Sequence, residues 1–217
     1  MKKTFFLASA VILFAACNNS SEKNSAATAE KVEVAGTDGT AYSIDSSALV
    51  TWTGSKPTGK HSGTFTLSEG TLFVKDNNLT GGSFLINIAS LTNQDLAGDA
   101  ENKGKLEGHL KSPDFFDVAK YPTAKFEITS VEPSISDSSK KTGATHLIKG
   151  NLTLKDSTKN VSFPATITID ANTVSATADF SIDRTQWGMN YKGPNNPQDW
   201  FISKEVGIKL AITAHKK

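Results

Sequence analysis

From Tyr42 onward, apolar and polar residues alternate along the chain. The clearest run is Val174-Ser175-Ala176-Thr177-Ala178-Asp179-Phe180-Ser181-Ile182, in which even positions are apolar and odd positions polar. One buried and one wet face is the pattern of an antiparallel strand. The C-terminus repeats it, with Val206, Ile208, Leu210 and Ile212 alternating with Gly207, Lys209, Ala211 and Thr213. Further strands are predicted over residues 49–54, 62–67, 70–75, 79–88, 124–131, 145–154 and 160–169. Turn residues separate several of them: Ser68-Glu69-Gly70, Asp76-Asn77-Asn78, Lys155-Asp156-Ser157 and Asp170-Ala171-Asn172. Many short strands punctuated in this way predict an all-β barrel or sandwich.

Two stretches break the alternation. Residues 95–110 are charged, and Leu96, Leu106 and Leu110 fall on one helical stripe. Ser112-Pro113-Asp114 then reads as an N-cap with proline at the first helical position, opening a short turn that carries Phe115, Phe116 and Asp117. The second stretch, residues 189–198, holds Gly193-Pro194 and Asn196-Pro197 and is predicted to be a loop.

The start of the chain follows a different logic. Lys2 and Lys3 precede a short apolar run from Phe5 to Phe14, and Ala15-Ala16-Cys17 supplies small residues at a cleavage point. The run is too short to span a bilayer, which takes about 20 apolar residues. Residues 1–16 resemble a bacterial lipoprotein signal peptide, whose removal leaves Cys17 lipidated as the new first residue. Phe14 stands three residues before the cysteine, where such signals prefer leucine. A plain secretory signal with Cys17 as an incidental thiol is the other reading. Residues 17–40 comprise this cysteine and a tether. From Asn18 to about Ala35 the chain is rich in Asn, Ser, Ala, Glu and Lys and has no aromatic residue, so it is expected to be flexible. The remaining domain, residues 41–217, can form one core.

Composition narrows the picture further. Cys17 is the only cysteine, so disulfides cannot staple the exported domain. A net charge of +1 gives no argument for a nucleic-acid partner.

Three motifs stand in order. The first is Gly108-His109-Leu110-Lys111-Ser112-Pro113-Asp114-Phe115-Phe116-Asp117, followed by Lys120-Tyr121-Pro122-Thr123-Ala124-Lys125-Phe126. The second runs from Gly150-Asn151-Leu152-Thr153-Leu154 to Thr158-Lys159-Asn160-Val161. The third is Phe180-Ser181-Ile182-Asp183-Arg184-Thr185-Gln186-Trp187-Gly188. Val50-Thr51-Trp52-Thr53-Gly54 and His61-Ser62-Gly63 fit the same pattern. Over residues 42–214 the chain resembles the YceI-like polyisoprenoid-binding family. It departs from the family at Glu107-Gly108, where members often carry an Arg-Asp pair. The resemblance implies an extended, lipocalin-like antiparallel β-barrel of about eight strands with a short helical insertion. It also implies an apolar cavity for a long-chain isoprenoid or similar amphiphile. About eight strands leave room for one small ligand.

On that footing Trp52, Phe84, Phe126 and Phe180 are candidates for the cavity wall, and Phe115 and Phe116 for closing one end. For any single one of them, core packing is the stronger reading. His109 either hydrogen-bonds within its motif or meets a ligand head group. Arg184 either forms a strand-end ion pair with Asp183 or anchors an anionic head group, to which its fork is suited. No zinc-type spacing, nucleophile motif or cofactor fingerprint is present. No catalytic or metal site and no cofactor are therefore expected. The sequence reads as a non-enzymatic, lipid-anchored protein of the cell envelope, on the outer membrane facing the periplasm. It would sequester or carry a polyprenyl lipid or quinone and meet the membrane through the acylated Cys17. The alternatives are a filled barrel acting in stress tolerance through protein contacts, and an enzyme acting on a lipid head group.

Overall fold

The computed structural model describes residues 25–133, 143–193 and 201–217. Residues 1–16, read above as a signal peptide, Cys17, and residues 194–198 of the predicted loop lie outside them. Ten strands form one sheet: β1 Ala27–Ala29, β2 Thr40–Ile44, β3 Leu49–Lys56, β4 Gly59–Lys75, β5 Asn78–Asn93, β6 Thr123–Pro133, β7 His146–Leu154, β8 Ser157–Ile169, β9 Thr173–Asp183 and β10 Glu205–Lys216. One helix, α1 Ala100–Lys111, and a 3-10 turn, Arg184–Trp187, complete the elements.

Strands β3 to β10 pair antiparallel in sequence order, and β10 returns to β3, closing an eight-strand barrel. Strand β2 continues the stave of β3: it pairs with β4 and β10 beyond the points where β3 leaves them. The alternation read in the sequence becomes the inside and outside of this wall. In β9, Val174, Phe180 and Ile182 are buried, whereas Thr177 and Asp179 are exposed. Tight turns join β4 to β5 through Asp76 and Asn77, whose φ angles are 50° and 61°, and β7 to β8 through Lys155, with φ 54°. Asn and Asp tolerate this left-handed region better than most residues, which makes the first turn legible as a primed hairpin.

Three expectations are corrected. Ser68-Glu69-Gly70 is not a turn. Strand β4 runs unbroken for 17 residues, and the register against β5 slips between Leu67 and Glu69. A bulge uses the same residue types as a turn but bends the strand without ending it. Gly70 is needed there, because a Cβ would lie 2.6 Å from Ile44 Cδ1 and 2.7 Å from Phe84 Cβ.

Ser112 does open the turn carrying Phe115, Phe116 and Asp117, its carbonyl accepting from Phe115 N–H at 3.1 Å and Asp117 N–H at 2.9 Å, but it is not the N-cap of a helix. It is the C-cap of α1, its N–H donates to His109 O at 3.1 Å, and its buried hydroxyl has no partner among the described residues. The helix is instead capped at its N-terminus by Asp99, whose side chain accepts from Asn102 N–H.

The stretch read as a tether is, from Ser25 on, part of the fold. Strand β1 pairs with β8, Ala26 is buried, and the Asn151 side chain accepts from Val32 N–H and donates to Val32 O, at 3.0 and 2.6 Å. Ala35 N–H donates to Ile128 O at 3.0 Å. Backbone groups make these contacts, so side-chain composition gave no sign of them.

The core fills the barrel unevenly. At the end carrying the Asp76–Asn77 and 170–172 turns, Tyr42, Leu72, Val74, Leu79, Val174 and Ala214 pack together and are buried. The opposite end carries α1, the turns after it and the chain between β9 and β10, and it is not filled.

Candidate functional site: an apolar cavity beneath a polar mouth

The unfilled end encloses a cavity of about 420 Å³. This lies within the range of roughly 300–1,000 Å³ typical of small-molecule sites. Its wall is mostly aliphatic and aromatic. Four rings form a belt across it: Phe84 on β5 meets Phe126 on β6 at 5.2 Å between centroids, Phe126 meets Phe163 on β8 at 5.9 Å, and Phe163 stacks on Phe180 of β9 at 4.0 Å. The belt spans β7 because position 150 is glycine; a Cβ there would overlap the Phe126 ring. Trp52 likewise packs against Gly63, where a Cβ would stand 2.6 Å from its Cζ2 atom. Val206, Ile208 and Leu210 point inward from β10 yet are only half-buried, because they face open space rather than side chains.

Helix α1 lies across this end. Glu107 pins it there, accepting from Asn93 N–H at 2.7 Å and Thr92 Oγ1 at 3.2 Å. This places Leu106 and Leu110 on the cavity wall. The turns that follow drop Phe115 into a buried position and set Phe116 edge-on to Phe65 at 5.4 Å. The polar residues of the wall gather at the same end, which is therefore its mouth. Lys56, His61, His109 and Lys192 are among them.

Two His–Asp pairs stand at the mouth. His109 Nε2 lies 2.9 Å from Asp114 Oδ2, and the His109 ring meets Phe115 and Tyr191 edge-on at 5.2 and 4.7 Å. His61 Nδ1 lies 2.8 Å from Asp95 Oδ2. Partial burial disfavours ionised Asp95, but donation from Ser62 N–H, His61 and Asn93 outweighs it and holds the pKa at about 2.

All eight side chains singled out in the sequence for the cavity and its head-group region (Trp52, Phe84, Phe115, Phe116, Phe126, Phe180, His109 and Arg184) lie on the wall. His109 hydrogen-bonds within its own motif. Neither of the two readings of Arg184 describes its contacts. The guanidinium is buried and donates to backbone carbonyls: Nε to Ser203 O, and Nη2 to Tyr191 O and Ile202 O, each at 3.0 Å, and Nη1 to Met189 O. Burial works against its charge and Asp183 supports it. Asp183 itself pairs with Lys204 at 3.1 Å and caps the 3-10 turn through Thr185. Arg184 thus clamps the chain between β9 and β10 instead of offering its fork to an anion. Trp187, in the same motif, is structural: it is buried and donates to Leu152 O at 3.0 Å.

Sequence reasoning did not single out Phe163, Met189, Tyr191 or the β10 residues as wall. The inward parity of β10 was available to it. Tyr191 lies in an irregular segment where no periodicity marks a facing.

The comparisons agree with this architecture. No curated protein matches the chain. The fold is similar to that of Burkholderia cenocepacia BcnA, at a TM-score of 0.61 and 19% identity over 79% of this chain and 99% of that one. It is also similar to a polyisoprenoid-binding domain from Saccharophagus degradans implicated in plant cell wall breakdown, at a TM-score of 0.57 and 14% identity over 82% and 99%. A family model described as YceI-like domain matches residues 42–214. By that match, which takes in the barrel, the helix and the whole cavity, the chain belongs to the YceI-like family.

Proposed function

We propose that this protein is a lipid-anchored periplasmic binding protein that holds an isoprenoid-like amphiphile, a polyprenyl lipid or a quinone, with its tail in the cavity. The observation that carries the reading is the apolar cavity opening at a polar mouth, with β10 side chains left half-exposed inside the barrel. Family membership supports it, as does the polyisoprenoid-binding relative of the same fold. Each methylene taken from water contributes about 0.8 kcal/mol, so a tail binds with few polar contacts once the cost of ordering it is met. The cavity favours this over a filled barrel acting through protein contacts. At the mouth His61 and His109 pair with Asp95 and Asp114, and Arg184 is committed to backbone carbonyls. Residues 1–16 act as the signal and Cys17 as the acylated residue, holding the domain on the outer membrane.

The test is mass spectrometry of the protein gently purified from its native host, comparing native and denaturing conditions. A co-purifying isoprenoid or quinone is expected. It should be lost in Ile208→Trp, whose ring would occupy the cavity. A bare protein mass, unchanged after incubation with quinones and polyprenyl phosphates, would sink the proposal.

A further inference from the structure

Strands β8 and β9 pair only over residues 165–169 and 174–178. Toward the mouth they part, and the N-terminal chain fills the seam. Ala27, Thr28 and Ala29 pair with Ser162, Val161 and Asn160 on one side. On the other, Ser25 bridges to Ser181, and Ala26 N–H donates to Ser181 O at 2.8 Å. Ser25 Oγ donates to Glu205 Oε2, one residue from cavity-lining Val206. The family match begins only at residue 42, so this inserted strand belongs to the chain's own N-terminal extension.

We infer that the mouth of the barrel is the face turned toward the membrane, and that the seam strand enforces this orientation. The inference rests on the reading of Cys17 as acylated. Eight residue steps separate Cys17 from Ser25. A chain of that length reaches no farther than about 27 Å. The far end of β10, at Lys216, lies 11 residues beyond Glu205. That is about 36 Å along the strand, or roughly 28 Å along the axis of a barrel with strands tilted near 40°. Mouth-down docking lies well within that reach, whereas the inverted orientation needs all of it.

The surface around the mouth suits a phospholipid interface. Phe201 is 44% exposed and is the one aromatic among the large exposed apolar residues described. It adjoins Ile202 on the cavity wall. Lys56 and Lys60 are exposed and make no ion pair among the described residues. Of the carboxylates of this end, Asp95, Asp114, Asp183 and Glu205 face His61, His109 and Lys204, and Glu101 and Glu107 pair with Lys105 and Lys103 on α1, whereas Asp99, Asp117 and Asp156 make no ion pair among the described residues. Lysines with an exposed aromatic match lipid phosphates above an apolar boundary. A tail leaving the bilayer would then pass into the cavity without crossing bulk water.

The experiment uses the full-length protein, processed in a bacterial host and reconstituted into phosphatidylethanolamine–phosphatidylglycerol vesicles containing brominated lipid. A thiol-reactive fluorophore is placed at Thr58→Cys, in the β3–β4 turn at the mouth, or at Ala171→Cys, in the turn at the packed end. Quenching by brominated lipid should be several-fold stronger at 58 than at 171. If the unsubstituted protein stays unlabelled and the two sites are quenched alike, or 171 more, the orientation alone falls. If the unsubstituted protein takes up label, Cys17 is a free thiol, and both the orientation and the acylation reading fall.

Discussion

At the scale of single residues, Arg184 shows how one motif can be recognised and its chemistry misjudged. An arginine after an amphipathic strand looks available to an anion, yet its guanidinium organises four carbonyls of a segment that has no periodic structure of its own. Charge-assisted donors to several carbonyls are among the stronger hydrogen bonds, and breaking them leaves buried acceptors without partners. Arg184→Gln should therefore lose on the order of 2–4 kcal/mol of stability. Arg184→Lys should recover only part of that, because a point charge cannot span the same set. Urea unfolding measures both, and an unchanged midpoint in Arg184→Gln would contradict the clamp. Gly150 makes a related point. It looks like a gap in an apolar strand, but it is the space that lets Phe126 reach Phe163.

At the scale of elements, the N-terminal strap departs most from what composition suggests. Residues 25–36 carry no aromatic anchor, but they pair with β8, bridge to β9 and take a two-way hydrogen bond from the buried Asn151. Asn160 supports that amide, donating to Asn151 Oδ1 at 3.1 Å. A chain shortened to begin at Thr37 loses these bonds and bares the seam between β8 and β9. At about 0.5–1.5 kcal/mol net for each of several hydrogen bonds, less the entropy of ordering the segment, the loss should be on the order of 3 kcal/mol. Equal urea midpoints for chains beginning at Ser25 and at Thr37 would show that the strap adds nothing. The helix was easier to anticipate. Of the stripe read at Leu96, Leu106 and Leu110, the last two lie on α1 and face the cavity while Leu96 precedes the helix, and the Ser-Pro-Asp signal both ends α1 and opens the next turn.

At the scale of the whole molecule, the barrel divides along its axis into a packed half and an open half, with Ser25, the first described residue, joined to the open one. A single N-terminal anchor would then set both where the protein resides and which way its cavity faces. The prediction at this scale concerns residence. Cys17→Ser should shift the protein from washed membranes to the soluble periplasmic fraction, read by fractionation and immunoblotting. Retention equal to the unsubstituted protein would leave Cys17 without an anchoring role. Multiple acyl chains give durable membrane binding, whereas one chain alone is marginal, so an intermediate result is not expected for a fully processed lipoprotein.

By itself the sequence determined most strands of the barrel, the helical interruption and the family, because a period of two and ordered motifs are local properties of the chain. It also marked the side chains that the fold brings to one cavity. The tertiary structure alone decided that the barrel is filled at one end and open at the other. Whether an inward side chain meets a neighbour or empty space depends on residues several strands away. It alone turned the polar trio at 68–70 into a bulge, because a turn and a bulge share residue types and differ in what lies opposite. It also converted a featureless N-terminal stretch into a seam strand, since backbone pairing is written in the geometry of the gap it fills and not in the side chains that fill it.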